Sequence, residues 1–138
     1  MLSIYLAHPF DSRKYVRDWE LFVETKYNIN LINPFYDISR EDVEAIDRGF
    51  VDRYEALEPK ELVKRDLSAI IGSDGVIAIV DGALSYGTIM EIVYAKMLNK
   101  TIDIIITNGH ELHPWLLYHA TNIYTSLGDY VDAVEGIE

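Results

Sequence analysis

No cysteine occurs among the 138 residues, which excludes disulfides, thiolate metal sites and a cysteine nucleophile. Positive charge is scarce. Twelve Lys and Arg stand against 23 Asp and Glu, for a net charge of -11, and a surface of that sign repels nucleic-acid polymers and anionic membranes. No apolar run approaches the roughly 18–20 residues of a membrane span, and no basic segment precedes the first apolar run. These absences lead us to expect a soluble, cytoplasmic protein. The phosphate-binding patterns G-x-x-x-x-G-K-[ST] and G-x-G-x-x-G are also missing, so P-loop hydrolysis and a dinucleotide site lack their glycines.

What is present is the composition of a packed protein, 49% apolar and 25% charged, with enough length for one core and too little for two ordinary ones. The expectation is a single domain over residues 1–138. The run Leu2-Ser3-Ile4-Tyr5-Leu6-Ala7 suits a strand, and His8-Pro9 breaks it. From Ser12 to about Lys26, Val16, Trp19, Phe22 and Val23 form a helical stripe, and Ile29–Ile32 follows as a strand. Ser39 to Glu58 is acidic and weakly periodic, with Ser39 and Asp42 spaced as a helix-start cap. Pro59 opens the next helix, whose buried face carries Leu62, Val63, Leu67, Ile70 and Ile71. Val76–Val80 is continuously apolar, as a central parallel strand covered on both faces should be. A helix from Gly87, strands at Ile102–Ile106 and Asn122–Tyr124, and a small helix from Gly128 complete the chain. Strands alternating with helices predict an α/β protein with an open parallel sheet. Ligands then bind beyond the carboxyl ends of the strands, at 8–13, 33–37, 81–88 and 107–115.

Among these, the segment Asp81-Gly-Ala-Leu-Ser85-Tyr86-Gly87-Thr88-Ile-Met-Glu91-Ile-Val-Tyr94-Ala95, a strand end, loop and helix start, carries the most chemistry. On spacing alone, Thr88 and Glu91 read as a capping box, with the glutamate reaching back to the chain. The functional reading makes Glu91 a nucleophile or general base, with Gly87 opening the backbone to substrate and the helix start binding oxygen-rich groups. Asp66 lies four residues from both Leu62 and Ile70, at the edge of an apolar stripe. Burial there would make it a proton donor, unless Arg65, Lys64 or a backbone group satisfies it. Tyr5 reads as a core residue or as a hydroxyl pointing into the site. Ser12 and Arg13, near His8 in the first loop, could hold a phosphate or form a solvated helix face. His110, Glu111 and His113 are too few for a metal site, and none is assigned.

The segments I-Y-L-A, Asp66 and S-Y-G-T-I-M-E-I-V-Y-A together resemble the nucleoside 2-deoxyribosyltransferase family, including the related deoxynucleoside 5′-monophosphate N-glycosidases. The resemblance spans most of the chain, with Gly87, Glu91, Tyr94 and Ala95 matching the most diagnostic stretch. It implies a flavodoxin-like five-stranded sheet in the order 2-1-3-4-5, with helices on both faces. It also implies Glu91 as nucleophile, Asp66 as the acid assisting the base, and Tyr5 as the group orienting the nucleophile. His8, Ser12, Arg13, Ser85, Gly87 and Thr88 would bind substrate. Two positions depart from the pattern. Ser85 stands six residues before Glu91, where the transferases carry an aspartate and the monophosphate glycosidases a phosphate-binding serine, and Val93 replaces a glycine. The implied partners are a nucleoside or nucleotide and a nucleobase, without cofactor or metal. The implied assembly is a homodimer or larger homo-oligomer, with the loop Pro114–Leu117 at the interface. A non-catalytic nucleotide sensor on the same fold is the rival from another class.

Overall fold

The structure is a computed structural model in which residues 1–38, 44, 46–48, 58–83 and 85–137 are described. The expected cap at Ser39 and Asp42 lies outside them. Strands β1 (Leu2–Ala7), β2 (Ile29–Ile32), β3 (Gly75–Val80), β4 (Thr101–Ile106) and β5 (Asn122–Tyr124) form one sheet in the order β2-β1-β3-β4-β5. Every neighbouring pair is parallel, with Tyr5 opposite Ile32 on one side and Val76 on the other. Parallel strands need crossovers, and these are helices α1 (Arg13–Lys26), α2 (Pro59–Ile71), α3 (Tyr86–Met97) and α4 (Pro114–His119), with α5 (Leu127–Ile137) at the end.

The alternation of side chains along each strand divides the core in two. Tyr5, Ala7, Val76, Ala78, Ile104 and Ile106 face Ile70 of α2 and Ile92 and Ala95 of α3. Leu6, Ile77, Ile79 and Ile105 face Val16 and Val23 of α1 and Tyr130 of α5. Continuous apolar runs are the result, since both faces are covered. Gly75 is required where β3 begins: a Cβ there would sit 2.4 Å from Thr101 Oγ1 and 3.2 Å from the Thr101 carbonyl on β4. The π-helical turn Pro34–Ile38 follows β2, and a 3-10 turn, Phe10–Ser12, precedes α1.

The segment expected as the loop Pro114–Leu117 is instead the first part of α4. Pro114 occupies the first helical position, where its missing N–H costs nothing, and the His113 side chain accepts the Trp115 N–H. Among the described residues no helix is long and apolar enough to cross a membrane.

Candidate functional site

Helix α3 begins at the carboxyl edge of β3, and Ser85 starts it. Its backbone is extended (φ -143, ψ 102), and its Oγ accepts the Thr88 N–H at 3.2 Å and shares a 2.7 Å hydrogen bond with Thr88 Oγ1. The capping box expected between Thr88 and Glu91 is therefore not formed. Thr88 is the residue capped rather than the cap, and Glu91 is turned toward the sheet. There the Tyr5 hydroxyl, from the centre of β1, donates to Glu91 Oε2. Tyr5 is wholly buried, so it serves the core with its ring and Glu91 with its hydroxyl.

Asp66 approaches from α2. Leu62 and Ile70, one turn away on either side, are buried, and Asp66 Oδ1 is buried with no hydrogen-bond partner among the described residues. Burial pushes its carboxyl up to about 7, with the Arg65 charge opposing. Burial likewise pushes Glu91 up to about 8; the Tyr5 hydrogen bond opposes this and the nearby Asp66 charge adds to it. The Asp66 charge thus acts on Glu91, and both acids are partly buried. Between those two values the pair holds one proton, leaving one carboxylate and one carboxylic acid. The reaction needs that proton on Asp66 and Glu91 as the carboxylate, whereas the higher of the two values belongs to Glu91.

The first loop has a different arrangement. His8 is buried, its Nδ1 is 3.3 Å from the Leu6 carbonyl, and its ring meets the Phe35 ring edge-on at 4.9 Å. Burial drives its pKa down to about 3 against the opposing charge of Asp81, so the imidazole is neutral. Ser12 donates its hydroxyl to Asp81. Arg13 pairs with Asp47, donates to the Phe10 carbonyl at 3.0 Å and lies 3.9 Å over the Phe10 ring. Ser12 and Arg13 are therefore engaged within the protein rather than turned together toward an anion.

Ser85 and Thr88 border a cavity of about 410 Å³ between α3 and α4, closed by Pro9, Asp81, Ile92 and Leu116. Glu91, Tyr5 and Asp66 are not among the residues that line it. Gly87 is exposed, with nothing within 4 Å of the position a Cβ would take, so the α3 backbone is open there. His110 and His113 also border the cavity; among the described residues no group of three His, Asp or Glu could hold a metal. Tyr15, bonded to Asp81, and Phe35, against His8, join the first loop without having stood out in the sequence. An aromatic after Asn-Pro was the available signal for Phe35.

No protein-family model and no curated protein matches the sequence. Solved structures do. A 2-deoxyribosyltransferase from the psychrotolerant bacterium Bacillus psychrosaccharolyticus has a TM-score of 0.68 at 18% identity, over 93% of this chain and 89% of its own. The Clostridium botulinum CMP N-glycosidase BcmB has a TM-score of 0.63 at 19% identity, over 99% of each chain. A 2-deoxyribosyltransferase from Leishmania mexicana has a TM-score of 0.64 at 18% identity, over 98% of each. With its parallel sheet in the order β2-β1-β3-β4-β5, the chain has the flavodoxin-like fold of these deoxyribosyltransferase and N-glycosidase structures.

Proposed function

We propose that residues 1–138 form one deoxyribosyltransferase-like catalytic domain, which cleaves the N-glycosidic bond of a 2′-deoxynucleoside and passes the deoxyribosyl group to another nucleobase or to water. The observation that carries this reading is the Tyr5–Glu91 hydrogen bond together with Asp66, whose charge acts on Glu91 and whose Oδ1 is buried with no hydrogen-bond partner among the described residues. The activities of the similar structures support it. A non-catalytic sensor gains nothing from two partly buried acids, which cost free energy to keep there.

In the reaction, a Glu91 carboxylate oxygen attacks the anomeric carbon as the bond to the base nitrogen breaks. The bonding pair leaves with the base, and the Asp66 carboxyl supplies the proton that neutralises it. Tyr5 holds one Glu91 oxygen by donating to it, leaving the other to form the ester. An incoming base nitrogen or water then attacks the same carbon, its proton returns to Asp66, and Glu91 leaves as the free carboxylate. No cofactor or metal takes part.

A neutral nucleoside fits better than its 5′-monophosphate. Ser12 already donates to Asp81, Arg13 is paired with Asp47, and among the described residues the cavity beside Ser85 is lined by Asp81 and by no Lys or Arg. The test compares kcat/KM for a deoxynucleoside and its 5′-monophosphate in the parent and in Arg13→Ala. The nucleoside should be preferred about tenfold or more, a difference of roughly 1.4 kcal/mol, with the ratio unchanged by the substitution. A strong monophosphate preference that disappears in Arg13→Ala would instead make the protein a monophosphate N-glycosidase.

The protein acts in the cytoplasm as a homodimer or larger homo-oligomer, assembled through the faces of α3 and α4. Tyr86, Met90 and Met97 on α3 and Trp115 and Tyr118 on α4 are each about 70% exposed, more apolar surface than scattered single residues present. Light scattering should give at least twice the chain mass of 15.8 kDa, falling to the monomer in Trp115→Glu. A monomeric parent would reject this assembly.

A further inference from the structure

Asp81 follows the last residue of β3, and the loops of three neighbouring strands converge on it. Its Oδ2 accepts the hydroxyls of Ser12, in the turn after β1, and of Tyr15, in the first turn of α1. Its Oδ1 accepts the Ala83 N–H at 2.9 Å, and its backbone carbonyl accepts Asn108 Nδ2, from the loop after β4, at 3.2 Å. Burial pushes the Asp81 carboxyl up, but the bonds from Ser12, Tyr15 and Ala83 outweigh it and hold the group below its usual range. It therefore remains an anion and a strong acceptor across the pH range in which Glu91 and Asp66 titrate.

We propose that Asp81 is a positioning residue, a clasp that fixes the loops after β1, β3 and β4 against one another and so sets the rim on which substrate is held. The inference rests on the glycosidase reading of Glu91, Asp66 and Tyr5. Ala83 lies two residues before the Ser85 cap of α3, and Ser12 lies in the turn that follows β1 and Tyr5. The clasp touches neither member of the Tyr5–Glu91 pair, which is held by β1 and α3 themselves. Loosening it should spoil binding before it spoils the chemical step. It also gives Ser12 a role that needs no phosphate.

The test uses Tyr15→Phe, which removes one hydroxyl from a side chain 45% exposed, together with Asp81→Ala and the double variant. Hydrogen bonds to charged groups are among the stronger ones, so Asp81→Ala should raise KM about tenfold or more and Tyr15→Phe severalfold, with kcat within about threefold of the parent. The double variant should be no worse than Asp81→Ala, because the hydroxyl has already lost its partner. A lower Tm with unchanged KM, or additive effects in the double variant, would show a merely structural bond and overturn the proposal. Should Asp81→Ala fail to fold, Tyr15→Phe and Ser12→Ala take its place: a raised KM at constant kcat supports the clasp, and an unchanged KM overturns it. If the parent releases no base from any deoxynucleoside, the glycosidase reading has failed. The clasp is then judged by amide hydrogen exchange at Ala83, which should quicken severalfold in Tyr15→Phe; unchanged exchange would overturn it.

Discussion

Glu91→Gln should lower turnover by about 10⁴-fold or more while leaving the fold intact, because the amide still accepts the Tyr5 hydroxyl but cannot form the glycosyl ester. Stability is the second readout, and its sign is opposite to that of an ordinary core lesion. Glu91 has an ordinary value of 4.5 and a folded value of about 8, so burial favours the protonated form. The stability attached to that proton is fully present below about 4.5 and is lost as pH rises toward 8. The Gln variant has no such ionisation. Its stability should match the parent in acid and exceed it increasingly up to about pH 8, by an amount on the order of 5 kcal/mol, with a correspondingly higher Tm. Retained turnover in Glu91→Gln would remove Glu91 from the role of nucleophile, and a variant less stable than the parent at pH 8 would show that its carboxyl is not raised by burial. Base release assayed alongside thermal unfolding reads both at once.

Asp66→Asn should slow cleavage by about 10²–10⁴-fold for nucleosides whose base needs a proton to leave. The effect should be far smaller for a nucleoside with a cationic, N7-methylated purine, which departs without one. The pH profile separates proton donation from positioning. In the parent, kcat/KM should be a bell displaced to higher pH than ordinary carboxyl groups would give, since the working state has one proton on the Glu91–Asp66 pair and burial raises both groups. Asn is as neutral as the protonated Asp66 of the working state, so the rising limb, set chiefly by burial of Glu91, should hardly move. The falling limb, which reports loss of the transferable proton, should disappear. Equal losses for both classes of base with an unmoved bell would assign Asp66 to packing instead.

The strands and helices were legible from pattern because burial on both faces makes the strands continuously apolar and burial on one face spaces the buried helix residues by three and four, but Phe22, Val63 and Ile71, expected on those stripes, are about half exposed at their edges. Asp66 could be placed at a buried edge from Leu62 and Ile70 for the same reason. The start of α3 is ambiguous between two equally spaced pairs, S-x-x-T and T-x-x-E, and the expected cap was the wrong one. Both spacings permit a cap, and the extended backbone at Ser85 selects the first. Similarly, the proline-led start of α4 is a local signal, but the apolar run after it resembles a loop packed at an interface.

What the sequence determined by itself was whatever depends on neighbours within about a turn: element type, the two-faced burial of the sheet, and the candidacy of Glu91, Asp66 and Tyr5 through their resemblance to a known pattern. The tertiary structure alone decided their partners. Tyr5 and Glu91 are 86 residues apart and meet because β1 lies beside β3, from whose end α3 runs back across the same face. Asp81 is 69 residues from Ser12 and 66 from Tyr15, and Arg13 is 34 from Asp47. Hydrogen bonds and ion pairs of that kind act over a few ångströms and carry no local periodicity. Which acid receives a hydroxyl, and which arginine is already paired, is therefore set by strand order and loop packing, after the local pattern has done all it can.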